Sequence, residues 1–127
     1  MILIDYLVLN RDRHGANLEV LRNKKLKTDR LAPLFDHGLS LVCRCHSKQE
    51  LDAFDVLEDK DVNSFIGTRS AFENVRMIPK EFLRALPELK EKDLDSLFEG
   101  MENLLDNAYY EKMREMIWKR WESLDRI

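Results

Sequence analysis

Asp12 and Asn17 stand five positions apart in Asp12-Arg-His-Gly-Ala-Asn17, and a second carboxylate follows in Leu34-Phe-Asp36-His-Gly38. A carboxylate and an amide at that separation can lie in one cleft when their loop leads into a strand. The carboxylate then accepts a hydrogen bond from an attacking hydroxyl, while the amide oxygen faces a divalent cation beside phosphates. Mg²⁺ prefers hard oxygens, commonly one or two carboxylates completed by phosphates and water. Asp36 is placed to supply such a carboxylate, because the two strands of a hairpin would bring it near Asn17. Two carboxylates in one cleft repel, and a cation relieves that repulsion. Asp and Asn also cap tight turns, so the spacing alone leaves both readings open.

The elements that must position these residues follow from the apolar pattern. Met1 to Leu9 is apolar apart from Asp5; it wants protein around it, and its periodicity fits a buried helix and a buried strand equally. Leu18 to Leu21 and Leu31 to Phe35 read as the arms of a β-hairpin across the polar turn 22–30, with Pro33 an irregularity. Gly38 marks a turn or a close approach. Leu39, Leu41 and Cys43 alternate with Ser40 and Val42 and predict one more extended segment.

From Ser47 the signals are helical. Ser47-Lys-Gln-Glu50 and Ser70-Ala-Phe-Glu73 are capping boxes, and Pro79 suits the first turn of a helix carrying Phe82, Leu83 and Leu86. Leu94, Leu97, Phe98, Met101, Leu104 and Leu105 form a helical stripe after the cap candidate Asp93. Met113, Met116, Ile117, Trp121 and Leu124 form another. The expectation is one α-rich α+β domain: residues 1–46 carry the polar motifs and the hairpin, and residues 47–127 form a helical bundle.

Composition narrows the function classes. The 127 residues are 44% hydrophobic and 35% charged, with four glycines and three prolines, which describes a globular chain. A net charge of -3 argues against a general phosphate-backbone binder, so direct nucleic-acid binding is not expected. The basic run 22–27 reads as a solvated turn and the acidic stretch 52–61 as a solvated helix face with its adjoining turn. Two cysteines are too few for a disulfide scaffold and imply a reducing compartment. No apolar stretch approaches the ~20 residues of a membrane span, and no basic segment precedes the apolar run as in a signal peptide. A soluble, cytoplasmic protein with no membrane partner is therefore expected. His37, Cys43, Cys45 and His46 offer soft ligands, but their spacing is not that of a zinc site. Residues 65–69 read as an interhelical turn ahead of a hinged cover with its pivot at Gly67.

The stretch Asp5-Tyr-Leu-Val-Leu-Asn10-Arg-Asp12-Arg-His14-Gly-Ala-Asn17, followed by Leu31-Ala-Pro-Leu-Phe-Asp36-His-Gly-Leu-Ser-Leu41, resembles the HipA-like kinases. It also resembles the type II phosphatidylinositol 4-kinases, relatives within the wider protein-kinase-like fold. The resemblance implies a kinase-like C-terminal lobe with the hairpin at the cleft and ATP- and Mg-dependent phosphoryl transfer to a hydroxyl, a Ser/Thr protein ahead of a lipid. It implies Asp12 as catalytic base, Asn17 and Asp36 as magnesium ligands, and Asp5, Asn10 and His14 as loop-bracing residues. Arg13 has two readings, a contact to a substrate phosphate or a pair with a nearby carboxylate.

The sequence departs from the family in one respect. It contains no Gly-rich phosphate loop and no strand lysine with a glutamate partner. The expectation is thus a truncated kinase, a C-terminal-lobe portion that binds ATP weakly and is inactive alone. Its apolar N-terminal run would pack on its own domain, a second copy or a partner chain carrying the missing lobe. The rival expectation is a non-catalytic lobe remnant acting as an interaction or regulatory module.

Overall fold

A computed structural model describes residues 1–101 and 103–126 of the chain. The apolar N-terminal run folds as a helix, α1 (Ile2–Leu7), which buries Tyr6 and Leu7. Its end is a paired reversal: the Asn10 amide donates to the Asp5 carbonyl at 2.8 Å and the Leu9 amide to the Tyr6 carbonyl at 3.2 Å. This helix stop places a left-handed residue one position past the cap, usually glycine. Here it is Leu9, with φ 50°. A left-handed leucine costs roughly 1–2 kcal/mol. Leu9 is only 1% exposed, and burying a leucine contributes about 1.5–3 kcal/mol in return.

The chain is mixed α+β and helix-rich. Among the described residues four short strands, β1 (Asp12–Arg13), β2 (Val20–Asn23), β3 (Thr28–Leu31) and β4 (Asn63–Ser64), form two separate two-stranded sheets. β1 runs parallel to β4, and β2 pairs antiparallel with β3 from Val20↔Leu31 to Asn23↔Thr28. The helices after the hairpin are α2 (Lys48–Asp52), α3 (Ala71–Arg76), α4 (Lys80–Arg84), α5 (Asp93–Leu97) and α6 (Asn107–Ser123). All but α6 are five or six residues long, so they are held by packing rather than by helix propensity. The 17-residue α6 is the spine. It gives Met116 to a core with Tyr6, Leu9, Val62 and Val75, and Met113 and Ile117 to a second core with Val42, Leu51, Leu94 and Phe98.

Arg120 fixes the spine to the N-terminal half. It is fully buried. Its Nε donates to the Val56 carbonyl at 2.8 Å, and its two terminal nitrogens donate to the Tyr6 carbonyl at 3.2 Å and the Glu58 carbonyl at 3.1 Å. The guanidinium also stacks 5.0 Å from the Tyr6 ring centroid. Burial lowers its pKa from the ordinary arginine value. The Tyr6 hydroxyl, 2.7 Å from Ser123 Oγ, has its own pKa raised by burial.

Several sequence expectations need correction. The hairpin arms lie nearer the turn than 18–21 and 31–35, at 20–23 and 28–31. The Ala32 amide makes a last cross-chain bond to the Glu19 carbonyl at 2.8 Å, and Pro33 has no N–H to continue. No strand runs through Leu39, Leu41 and Cys43. The Leu41 amide is taken by the Val8 carbonyl and the Leu39 carbonyl by the Arg11 amide, and the chain then turns, with Leu41 itself left-handed. The buried pair is therefore Val42 and Cys45, while Cys43 is exposed.

Both serine caps form, Ser47 accepting from the Glu50 amide and Ser70 from the Glu73 amide. The Glu50 carboxylate reaches the His46 amide instead of closing its box on Ser47. Asp93 is the first residue of α5 rather than its cap. The stripe beyond it is not one helix: α5 ends at Leu97, Gly100 turns with φ 82°, and Asp106 caps α6 from its carboxylate. Residues 65–69 join β4 to α3, and Asn74 holds them through the Thr68 amide and carbonyl.

Replacing Arg120 with methionine keeps the volume but leaves three buried carbonyls without their donor. Urea unfolding of Arg120→Met is expected to show a loss of about 2–4 kcal/mol with the fold retained by circular dichroism.

Candidate active site

The helix reversal at Leu9 delivers the polar loop. Asn10, buried beside it, donates from Nδ2 to Asp5 Oδ1 at 3.1 Å and accepts the Asp12 amide on Oδ1 at 3.1 Å. One side chain thus joins the helix to the next stretch of backbone. The chain then runs as β1 along β4, with the Asn63 amide on the Arg11 carbonyl at 2.8 Å and the Phe65 amide on the Arg13 carbonyl at 2.7 Å.

Asp12 projects from this short ladder with about a third of its side chain exposed. Its Oδ1 accepts from Asn63 Nδ2 at 2.8 Å. Its Oδ2 lies 3.8 Å from His14 Nε2, close enough for an ion pair when the imidazole is protonated but not a hydrogen bond. One carboxylate oxygen is therefore fixed, and the other lies on the His14 side.

A single 3₁₀ turn, Gly15–Asn17, follows. A Cβ on Gly15 would come within 3.1 Å of the Phe65 ring, so glycine lets the turn lie against β4's exit. The turn ends with Asn17 buried and its Nδ2 donating to the Asp12 carbonyl at 2.9 Å. With the nitrogen committed, the amide's oxygen is the end left for a ligand.

Arg13 organises the remainder. It is 1% exposed. Its Nε and one terminal nitrogen hold the Asp5 carboxylate, the latter at 2.9 Å. The other terminal nitrogen donates to the Asn17 carbonyl at 3.2 Å and the Phe35 carbonyl at 2.7 Å. The backbone at Asn17 and the backbone entering Asp36 are thus drawn to one nitrogen. Of the two readings for Arg13, the carboxylate pair is the one present; no free face of the guanidinium points to solvent. The ring of His37 lies 3.3 Å from the same group.

Asp36 is exposed and takes φ 55°. In the Asp36-His-Gly38 turn it is thus the aspartate, which tolerates the left-handed region better than most residues, and not the glycine that makes the reversal. That conformation turns the Asp36 backbone sharply after its anchored neighbour Phe35.

Asp12 and Asn17 therefore belong to one hydrogen-bonded assembly, with Asp5, Asn10 and Arg13 behind it, and Asp36 adjoins it only through the Phe35 carbonyl that Arg13 holds. His14 lies beside Asp12 with no hydrogen bond from its ring to the loop among the described residues. Asn63, which holds the Asp12 carboxylate, was not singled out by sequence, and His37, weighed there only as a soft metal ligand, lies on the Arg13 guanidinium. Asn63 lies fifty-one positions from Asp12, and no local pattern announces a two-residue parallel pairing.

Among the described residues no group of three or more His, Cys, Asp or Glu is placed to hold a metal ion. Both cysteines are free, and burial raises the Cys45 thiol pKa. Among the described residues the site thus has no self-sufficient metal cage. Asn17 and Asp36 are hard oxygen donors of the kind Mg²⁺ takes alongside water and phosphates. Compared with known proteins, the chain matches no family model, no curated protein and no solved structure.

The buried pair behind the site should be costly to break. Asp5→Ala leaves the Arg13 guanidinium buried without its counter-charge, and chemical denaturation is expected to show a loss of about 3–5 kcal/mol. Asp29→Ala, which breaks the exposed Arg22–Asp29 pair, should leave the midpoint unchanged within error.

Proposed function

We propose that this chain provides the catalytic-loop wall of a phosphotransferase related to the HipA-like kinases, a kinase-like C-terminal lobe that transfers phosphoryl from ATP to a hydroxyl. A Ser/Thr protein is preferred over a lipid as acceptor. The observation that carries the reading is the coupling of Asn17 to Asp12 by one hydrogen bond, with Arg13 holding the Asn17 and Phe35 carbonyls together. Those bonds tie Asn17 to the Asp12 backbone and hold the residue before Asp36 to the same guanidinium, which supports the reading of one loop assembly.

In this reading the free oxygen of Asp12 accepts the proton of the attacking hydroxyl, while Asn63 keeps the carboxylate from rotating away. Asn17 Oδ1 and the Asp36 carboxylate would hold Mg²⁺, which when bound neutralises charge on the phosphate oxygens. The cross-strand pair Val20↔Leu31, exposed at 64% and 46%, stands where the hairpin leaves the two arms of the site. An apolar platform there suits the flat ring of a nucleotide. The reading takes its acceptor and metal groups from Asp12, Asn17 and Asp36; a phosphate-covering loop and its lysine are not among these 127 residues. Affinity for Mg-ATP weaker than micromolar is the corresponding expectation for this chain by calorimetry, and micromolar binding would contradict it.

The metal assignment has a direct readout. With Mn²⁺-ATP as a paramagnetic probe, amide resonances at Asn17 and around Asp36 are expected to broaden first. Asn17→Ala or Asp36→Ala should abolish the effect and Asp12→Ala should preserve it. Broadening centred on the acidic stretch 52–61 would remove the proposal. Where a complementary ATP-binding lobe restores transfer, Asp12→Ala should lower the rate by about 10²–10⁴-fold, and activity that survives it would refute Asp12 as base.

A further inference from the structure

The hairpin is a sheet without an inside. Every residue of β2 and β3 is exposed. Residues 20–31 carry five cations against one carboxylate, in a chain whose net charge is -3. Only Arg22 is neutralised, by Asp29 at 2.9 Å. Lys24, Lys25, Lys27 and Arg30 have no carboxylate within ion-pair distance among the described residues. Leu26, at the turn, is 71% exposed, and Leu21 is uncovered behind it. The Asn23 side chain accepts the Lys25 and Leu26 amides and holds the turn in shape.

These residues line an open concavity of about 670 Å³, in which Leu21 and Leu26 meet Lys24, Lys25 and Arg30. The sheet has only two strands, so each strand also keeps one edge of unpaired backbone groups. We infer that this end of the hairpin binds an extended, acidic segment of a partner protein, with apolar side chains set among its carboxylates. Three features are used together: free edges for main-chain hydrogen bonds, cations for carboxylates, and leucines for the interleaved apolar residues.

Other anionic partners use fewer of them. The surface that carries the leucines is concave, whereas a bilayer meets a convex apolar tip best. Residues 19–31 contain no aromatic ring on which a nucleic-acid base could stack. The inference concerns binding in the absence of ATP, so it stands or falls separately from phosphoryl transfer.

The test uses the full chain and a short fluorescein-labelled peptide alternating glutamate with leucine, read by fluorescence anisotropy. Binding is expected at low ionic strength, weakening as salt rises. The triple variant Lys24→Glu, Lys25→Glu, Lys27→Glu should weaken it by at least about tenfold, and Leu26→Asp by at least about threefold. An all-glutamate peptide should bind less well than the alternating one. Circular dichroism and the denaturation midpoint check that each variant is folded, and Arg30→Glu serves as a second probe if the triple variant is not. Absence of peptide binding would overturn the inference, as would binding indifferent to the lysines or to Leu26. Tighter association with phosphatidylserine vesicles or duplex DNA than with the peptide would overturn it as well.

Discussion

The buried ion pair between Arg13 and Asp5 is the constraint on which the polar half of the molecule depends. Taking a guanidinium and a carboxylate out of water costs several kcal/mol per ion, and their attraction offsets this only when the remaining donors are also satisfied. Arg13 meets that condition by adding the carbonyls of Asn17 and Phe35 to the Asp5 carboxylate. The requirement to satisfy one cation therefore specifies three segments at once: the first helix, the 3₁₀ turn and the entry to Asp36. A hydrophobic residue at position 13 could fill the space. It could not choose among neighbouring registers of those segments, because apolar packing is not directional.

Arg120 plays a parallel part in the helical half, with a different chemistry. It has backbone carbonyls and the Tyr6 ring instead of a carboxylate. The two arginines meet the first helix from opposite ends of the chain, Arg13 through the Asp5 side chain and Arg120 through the Tyr6 carbonyl. Consecutive residues of one short helix thus anchor both halves. The helix is six residues long, too short to be stable alone, and these contacts together with its buried Tyr6 and Leu7 are what keep it formed.

Sequence and structure agree where the signal is local. The serine caps and the last helix stand where capping residues and apolar spacing put them, and a hairpin forms, displaced towards its turn; the spacing of Asp12 and Asn17 is likewise a local pattern. The misreadings arise where distant backbone groups decide. Alternation at Leu39, Leu41 and Cys43 suggested a strand, but no partner edge is available after Leu41. The stripe from Leu94 to Leu105 has helical spacing, yet Gly100 turns the chain out of it. Pairing of Asp12 with Asn63 and the fate of the Arg13 guanidinium depend on which segments meet in space. No window of sequence contains that information.

Leu9 has a consequence for the order in which the molecule can assemble. Its backbone makes the reversal that presents Asn10 and the polar loop, while its side chain sits in the first core with Val62, Val75 and Met116. A glycine there would let the loop adopt its shape locally and early. A leucine makes that shape uphill until the core closes around it. Residues far along the chain, on the third and sixth helices, must therefore arrive before the loop is held, and a polypeptide cut short of them would carry the motif without the geometry.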